Sequence, residues 1–241
     1  MQKPVIILVN PQMAENVGMA ARAMMNCGLY EMRLVSPREN HVGDKAVAAS
    51  SGAEKILFEA KVFQSTRDAV ADLGIVYATT ARRRNMIKTV ETADAATKEM
   101  VSKAQAGIKC GILFGPERTG LHNEDVGIAD KIIEIPLNPE HCSLNLSQAV
   151  LLVGYEWYKK QIDVPEVQLV TNGGEVADKE KVMRFFDFLE QKLDKCKPFQ
   201  DEEKRPRMLI NLHNIFLRSE ITEPELNTLY GIINYLSGKE D

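Results

Sequence analysis

The sequence predicts an α/β fold built on a mainly parallel sheet, with a small all-helical C-terminal extension. Short apolar runs rich in Val and Ile alternate with helix-patterned segments up to residue 161, the alternation of strand–helix–strand units. The runs are brief and nearly uniformly apolar, as strands covered on both faces are. Beyond residue 178 the periodicity is helical only.

Five runs read as strands: VIILV (5–9), MRLVS (32–36), GIVYATT (74–80), IKCGILFG (108–115) and KIIEIPL (131–137). In NVGMAARAMMNCG the residues Val17, Ala20, Ala21 and Met24 recur three and four apart, and Gly28 marks the stop. Segment 92–107 opens on Thr92 as a cap and ends at Gly107. Segment 143–161 carries an apolar stripe through Leu144, Val150, Leu151, Gly154 and Trp157, with Ser143 as the expected cap.

These elements define a first domain over 1–161. Residues 162–178 lack periodicity, contain Pro165 and the Gly173–Gly174 pair, and read as a linker. Residues 179–241 hold three helical segments, the last opened by a capping box of Thr222 and Glu225. So short a tail is expected to have little core of its own.

Composition narrows the function classes. No stretch of about 18 consecutive apolar residues occurs, which argues against a spanning helix. The first apolar run is too short for a signal peptide, and a cytoplasmic protein is expected. Cys27, Cys110, Cys142 and Cys196 are scattered without a CxxC pair, so a disulfide framework or zinc site is not expected. Reduced, core-associated thiols are. The net charge of −4 gives no general attraction to nucleic acid, which leaves the local patch ARRRNMIK (81–88) as the candidate grip.

Three Asn-, Gly- or Pro-bearing strand exits stand out: 10–18, 115–120 and 135–145. Ligands of open α/β sheets bind beyond the carboxyl ends of strands. The third exit, IPLNPEHCSLNLSQAV, raises covalent catalysis, but Ser143 lacks the G-x-S-x-G setting of a hydrolase. His141 beside Cys142 in sequence is not the oriented pair an activated thiol needs. In LFGPERTGL the glycines Gly115 and Gly120 are spaced as in a phosphate loop, but Leu121 and His122 replace its Lys and Ser/Thr. No G-x-G-x-x-G follows a strand. Gly115, directly after a strand, marks either a tight turn or a close backbone approach.

Together NPQMAENVGMAARAM, LFGPERTGL and IPLNPEHCSLNLSQAV resemble, in order and spacing, the three motifs of the TrmH-like 2'-O-ribose branch of the SPOUT methyltransferases. The tail NLHNIFLRSEITEPELNTLYGIINYL is similar to that of the TrmJ-like subgroup, whose members methylate a pyrimidine ribose of the tRNA anticodon loop, at position 32. The resemblance implies a C-terminal trefoil knot, S-adenosylmethionine as methyl donor with S-adenosylhomocysteine as product, no metal, and a homodimer.

By the same resemblance, Arg22, Asn16, Ser143 and Asn145 are the implied catalytic positions. The donor is implied to lie against Thr79, Thr80, Ala81, Gly115, Glu117, Ile135, Leu137, Cys142, Ser143 and Leu144, largely through backbone groups. RNA would be held by Arg82, Arg83, Arg84 and Lys88, with Lys204, Arg205 and Arg207 of the tail. An rRNA methyltransferase, a catalytically inactive RNA-binding dimer and a Cys142 or Ser143 hydrolase are the alternatives.

Overall fold

The computed structural model describes residues 2–80, 86–165, 167, 174–196 and 203–238. They form two compact units, Met1–Val164 and Pro165–Asp241.

The first unit runs β1 (Val5–Val9), α1 (Ala14–Asn26), β2 (Met32–Val35), α2 (Asp44–Ser50), α3 (Glu54–Phe58), β3 (Lys61–Phe63) and α4 (Thr66–Val70). It continues with β4 (Ile75–Thr79), β5 (Thr89–Thr92), α5 (Ala93–Gln105), β6 (Cys110–Phe114), α6 (Asn123–Ile128), β7 (Lys131–Glu134) and α7 (Leu146–Lys159). The five expected strands are all present. β3 and β5 escaped the apolar pattern because they are edge strands with mostly exposed side chains. Helices α2, α3, α4 and α6 are five to seven residues long, too short to display a period.

The sheet order is β3-β2-β1-β6-β4-β7-β5, and every pairing is parallel. The late strands β6 and β7 insert between earlier ones, β6 between β1 and β4 and β7 between β4 and β5. A C-terminal knot requires such crossovers. Ile7 pairs with Leu113, and Leu113 with Ala78, so the exits of β1, β6 and β4 lie along one edge.

Both faces of the sheet are covered, as parallel sheets demand. Ile6, Leu8, Tyr77 and Ile112 point toward α1, α5 and α7, where Met24, Met100 and Trp157 are buried. Val5, Ile7, Ala78 and Leu113 pack on the other side with Ala69 and Val126. Gly28, at φ +66°, ends α1 in the left-handed conformation that glycine adopts most easily.

Thr92 caps α5 as expected, its hydroxyl accepting from Ala95 N at 3.3 Å. Ser143 does not cap α7. Asn145 does, accepting from Ser147 N at 2.9 Å while its own N–H donates to Gln148 Oε1 at 3.1 Å. Reciprocal bonding with a glutamine three residues on fixes the helix start two residues later.

At the amino ends of the strands, buried Arg33 donates to Ala69 O at 2.7 Å, Asp72 Oδ2 at 2.8 Å and Glu31 Oε1 at 2.7 Å. Lys109 joins through Glu31 at 2.9 Å. The hydrogen bonds from Arg33 hold the Asp72 carboxyl far below the usual carboxylate range.

The second unit contains α8 (Lys179–Cys196), α9 (Arg205–Leu217) and α10 (Glu223–Ser237). Contrary to expectation it has a core of its own: Val182, Phe185, Phe186, Leu189, Ile221 and Leu226 are buried together. Aromatic residues supply it, Phe185 meeting Phe216 and Tyr230 edge-on at 5.1 and 5.3 Å. Glu175–Ala177, read as linker, pair with Ile221–Glu223 through Ala177 N to Ile221 O at 2.8 Å and Glu223 N to Glu175 O at 3.0 Å. The Thr222–Glu225 capping box is present, Thr222 N donating to Glu225 Oε2 at 2.7 Å.

Candidate active site

Three segments distant in sequence converge beyond the carboxyl edge of the sheet. The β1 exit turns at Asn10, with φ 46°, and delivers Asn16 into the first turns of α1. Asn16 is buried, and both ends of its carboxamide are used. Its Nδ2 donates to Glu117 Oε1 at 2.6 Å, and its Oδ1 accepts from Asn145 Nδ2 at 2.9 Å. The second Glu117 oxygen accepts from Gln12 N at 3.1 Å. Asn145 Oδ1 also accepts from the Ser147 hydroxyl at 2.7 Å. The Glu117–Asn16–Asn145–Ser147 chain thus ties together the exits of β1, β6 and β7.

Gly115 explains the close turn after β6. A Cβ there would lie 2.1 Å from Leu121 N and 2.4 Å from Gly120 C. The turn closes through Gly120 N to Pro116 O at 2.8 Å, with Gly120 at φ +66°. The close approach is therefore to the chain's own backbone.

Between these loops lies a cavity of about 210 Å³. Its wall includes Thr79 and Thr80 from the β4 exit, Gly115 and Glu117 from the β6 exit, and Ile135, Leu137, Cys142, Ser143 and Leu144 from the β7 exit. Thr79 Oγ1 donates to Leu113 O at 2.9 Å and Thr80 N to Ile133 O at 3.2 Å, which pins the first wall to its neighbours. Sequence reasoning missed Phe114, Pro116, Arg118, Thr119, Gly120 and Ile133, and also Leu146 and Ala149 in the first turn of α7. The last inward residue of each strand was the available signal for Phe114 and Ile133. Arg118 was visible only as the neighbour of Glu117.

Other expected positions fall elsewhere. Asn16 and Asn145 brace the walls without lining the cavity. Arg22 also stands outside it, exposed on α1 one turn from both Met19 and Met25. Ala81, Arg82, Arg83 and Arg84 lie outside the described residues. The Lys88 ammonium donates to the carbonyls of Ala129 and, at 3.0 Å, Gly127, so it closes the C-terminal end of α6. In the second unit Arg205 donates to Asp194 at 2.6 Å.

Among the described residues the three thiols of Cys27, Cys110 and Cys142 divide into two kinds. Cys27 and Cys110 are buried, and burial raises the Cys110 thiol to about 11. Cys142 is exposed on the cavity wall. Neither Cys142 nor Ser143 hydrogen-bonds a histidine or carboxylate among the described residues, so the activated pair of a hydrolase is not formed there. No group of three or more His, Cys, Asp or Glu positioned to hold a metal occurs among the described residues.

Residues 3–155, which contain all three loops, match the SpoU rRNA Methylase family. The chain belongs to that family. Its fold is shared over nearly the full length with the crystal structure of TrmJ from Z. mobilis ZM4, at 41% identity and a TM-score of 0.84, covering 98% of this chain and 99% of the other. The tRNA (cytidine/uridine/adenosine-2'-O-)-methyltransferase TrmJ of Pseudomonas aeruginosa is 31% identical over 236 residues, 95% of this chain and 91% of that protein. The TrmJ of Sodalis glossinidius, a tRNA (cytidine/uridine-2'-O-)-methyltransferase, is 33% identical over 235 residues, 95% of this chain and 89% of its own.

Proposed function

We propose that the protein is an S-adenosylmethionine-dependent 2'-O-ribose methyltransferase of tRNA, acting in the cytoplasm on a pyrimidine at position 32 of the anticodon loop. The observation that carries this reading is the convergence of the three family loops, tied through Glu117, Asn16 and Asn145, around one cavity. Full-length likeness to TrmJ proteins, C-terminal unit included, favours tRNA over rRNA.

The residues present fit the donor. Ile133, Ile135, Leu137 and Leu146 offer apolar surface to a flat base, while Thr80 and Ser143 add hydroxyls at the wall. When bound, S-adenosylmethionine supplies a sulfonium methyl group, a carrier reactive enough to need no metal. The protein's task is alignment, which contributes about 7–11 kcal/mol when reacting atoms are held in near-attack geometry. The bracing of all three loops by hydrogen bonds around buried Asn16 serves that end.

Arg22 is assigned to the RNA. A guanidinium stays charged throughout the working pH range, so it stabilises developing alkoxide charge and grips phosphate and does not serve as a base. In this reading the working unit is a homodimer. α1 and α7 run side by side in one direction, with Asn16 against Asn145 at one end and Cys27 against Gly154 further along. Met19 and Met25 on α1 and Leu152 and Tyr155 on α7 are each more than a third exposed, with Arg22 among them. A second copy over this face buries apolar surface and brings Arg22 into the assembly. The basic triplet Arg82–Arg84 is assigned, from sequence alone, as a further phosphate grip.

The deciding experiment incubates the protein with methyl-labelled donor and total tRNA or rRNA and maps the 2'-O-methyl nucleotide. Label at tRNA position 32 supports the proposal. Label in rRNA alone reassigns the substrate, and no label with RNA still bound marks an inactive RNA-binding dimer.

A further inference from the structure

We infer that Arg118 is an RNA-positioning residue whose guanidinium takes the phosphodiester adjoining the ribose to be methylated. The inference rests on the 2'-O-methyltransferase reading above.

Among the described residues that line the cavity, Arg118 is the one that carries positive charge. It is exposed and makes no hydrogen bond or ion pair with any described residue. Its neighbour Glu117 forms no ion pair with it and turns its two oxygens to Gln12 N and Asn16 Nδ2 instead. An unpaired guanidinium therefore stands at the rim of a cavity whose deeper wall is aliphatic and hydroxylic.

The root of this side chain is fixed although its head is free. Glu117 is held from the β1 exit, and the Pro116 O to Gly120 N bond closes the turn on the other side. Gly115 packs its own backbone against the far side of the turn, so closely that an added Cβ would come within 2.1 Å of Leu121 N. A cation presented from a rigid turn loses little backbone freedom when it binds.

Charge decides what it binds. The methyl donor carries a sulfonium and an ammonium against one carboxylate, so its net charge is positive and a guanidinium gains little net attraction from it as a whole. RNA must bring a ribose 2'-oxygen to the same cavity, and the phosphate on the neighbouring 3'-oxygen arrives with it. Arginine takes phosphate in a two-point fork that fixes orientation as well as charge. Arg22 lies outside this cavity on α1, so Arg118 is the arginine that the cavity itself offers.

The test compares full-length wild type with Arg118→Ala and Arg118→Lys, each confirmed to melt cooperatively near the wild-type temperature. Methylation kinetics, tRNA binding across a salt series and calorimetric S-adenosylmethionine binding are measured. Arg118→Ala is expected to raise the KM and Kd for tRNA about ten- to a hundredfold, the range for a lost charge-assisted bond. The slope of log K against log salt should fall by about one, as for one phosphate contact, with donor affinity unchanged. Arg118→Lys should restore the salt slope but only part of the affinity. Wild-type tRNA affinity and slope in Arg118→Ala would overturn the inference. So would a loss confined to donor affinity, which would assign Arg118 to the donor's carboxylate. Failure of the wild type itself to methylate or bind any RNA would instead overturn the underlying reading.

Discussion

Asn145 Nδ2 donates to Asn16 Oδ1 at 2.9 Å although 129 residues separate the two in the chain. Asn16 passes the constraint on to Glu117 at 2.6 Å. The walls of the cavity are thereby set by one buried carboxamide.

Asn16→Ala should therefore act on both stability and activity. It leaves Asn145 Nδ2 and one Glu117 oxygen short of a partner, at a cost of about 1–3 kcal/mol. Loosened walls should lower kcat/KM further, by about a hundredfold, since misplacement on the order of 1 Å has that effect. Asn16→Asp should be worse at neutral pH, with its carboxylate facing Glu117. Urea titration and methylation kinetics on the same samples check both effects, and unchanged kinetics with reduced stability would limit Asn16 to the fold.

Gly115→Ala introduces a Cβ into backbone that is 2.1 Å away. The β6 exit must move, at a cost of about 1–3 kcal/mol or more. S-adenosylmethionine binding should fall by well over tenfold in a protein that still folds. Calorimetric titration decides it, and wild-type affinity would mean that the turn relaxes without disturbing the cavity.

Thiol labelling tests the cavity without any turnover. In a Cys196→Ser background one thiol, Cys142, should react quickly in the native protein. Cys27 and Cys110 should react only on unfolding, being buried. For Cys110, burial also raises the thiol to about 11, which keeps it protonated at neutral pH. S-adenosylmethionine should slow Cys142 labelling severalfold. Equal rates with and without it would move the donor away from the β7 exit.

At the opposite edge of the sheet, Asp72 is ionised far below its ordinary range because Arg33 donates to it. A depressed carboxyl pKa stabilises the folded state at neutral pH, and that contribution is lost as pH falls. The loss begins near the unfolded value of about 4 and grows toward pH 2. Asp72→Asn should lower the urea midpoint at pH 7 and flatten its decline below pH 5. Solvent screening limits the size of the effect, since the Asp72 side chain is 57% exposed. Parallel curves for variant and wild type would rule out this pair as the source of acid sensitivity.

Much of the fold was legible because β1, β4 and β6 are covered on both faces and read as near-continuous apolar runs, and β2 and β7 keep an apolar centre beside Arg33 and between Lys131 and Glu134. β3 and β5 broke that pattern at the edges, where Lys61, Val62 and Val90 face solvent. The cap of α7 was misread because Ser143 and Asn145 are both good capping residues, and only the partnership of Asn145 with Gln148 decides between them. At the site, the family motifs located most of the cavity wall. Arg118 was overlooked because its importance comes from what Glu117 does instead of pairing with it. That is a fact about bond directions, which a sequence does not record.

The span of those hydrogen bonds also orders events during synthesis. Glu117 is 101 residues from Asn16, and Asn145 is 129. A nascent chain that has already completed β1 and α1 has no pocket until the ribosome has delivered the start of α7. Closing such long loops is also the slow part of folding. In the methyltransferase reading proposed above, donor binding is then confined to chains whose first unit is complete.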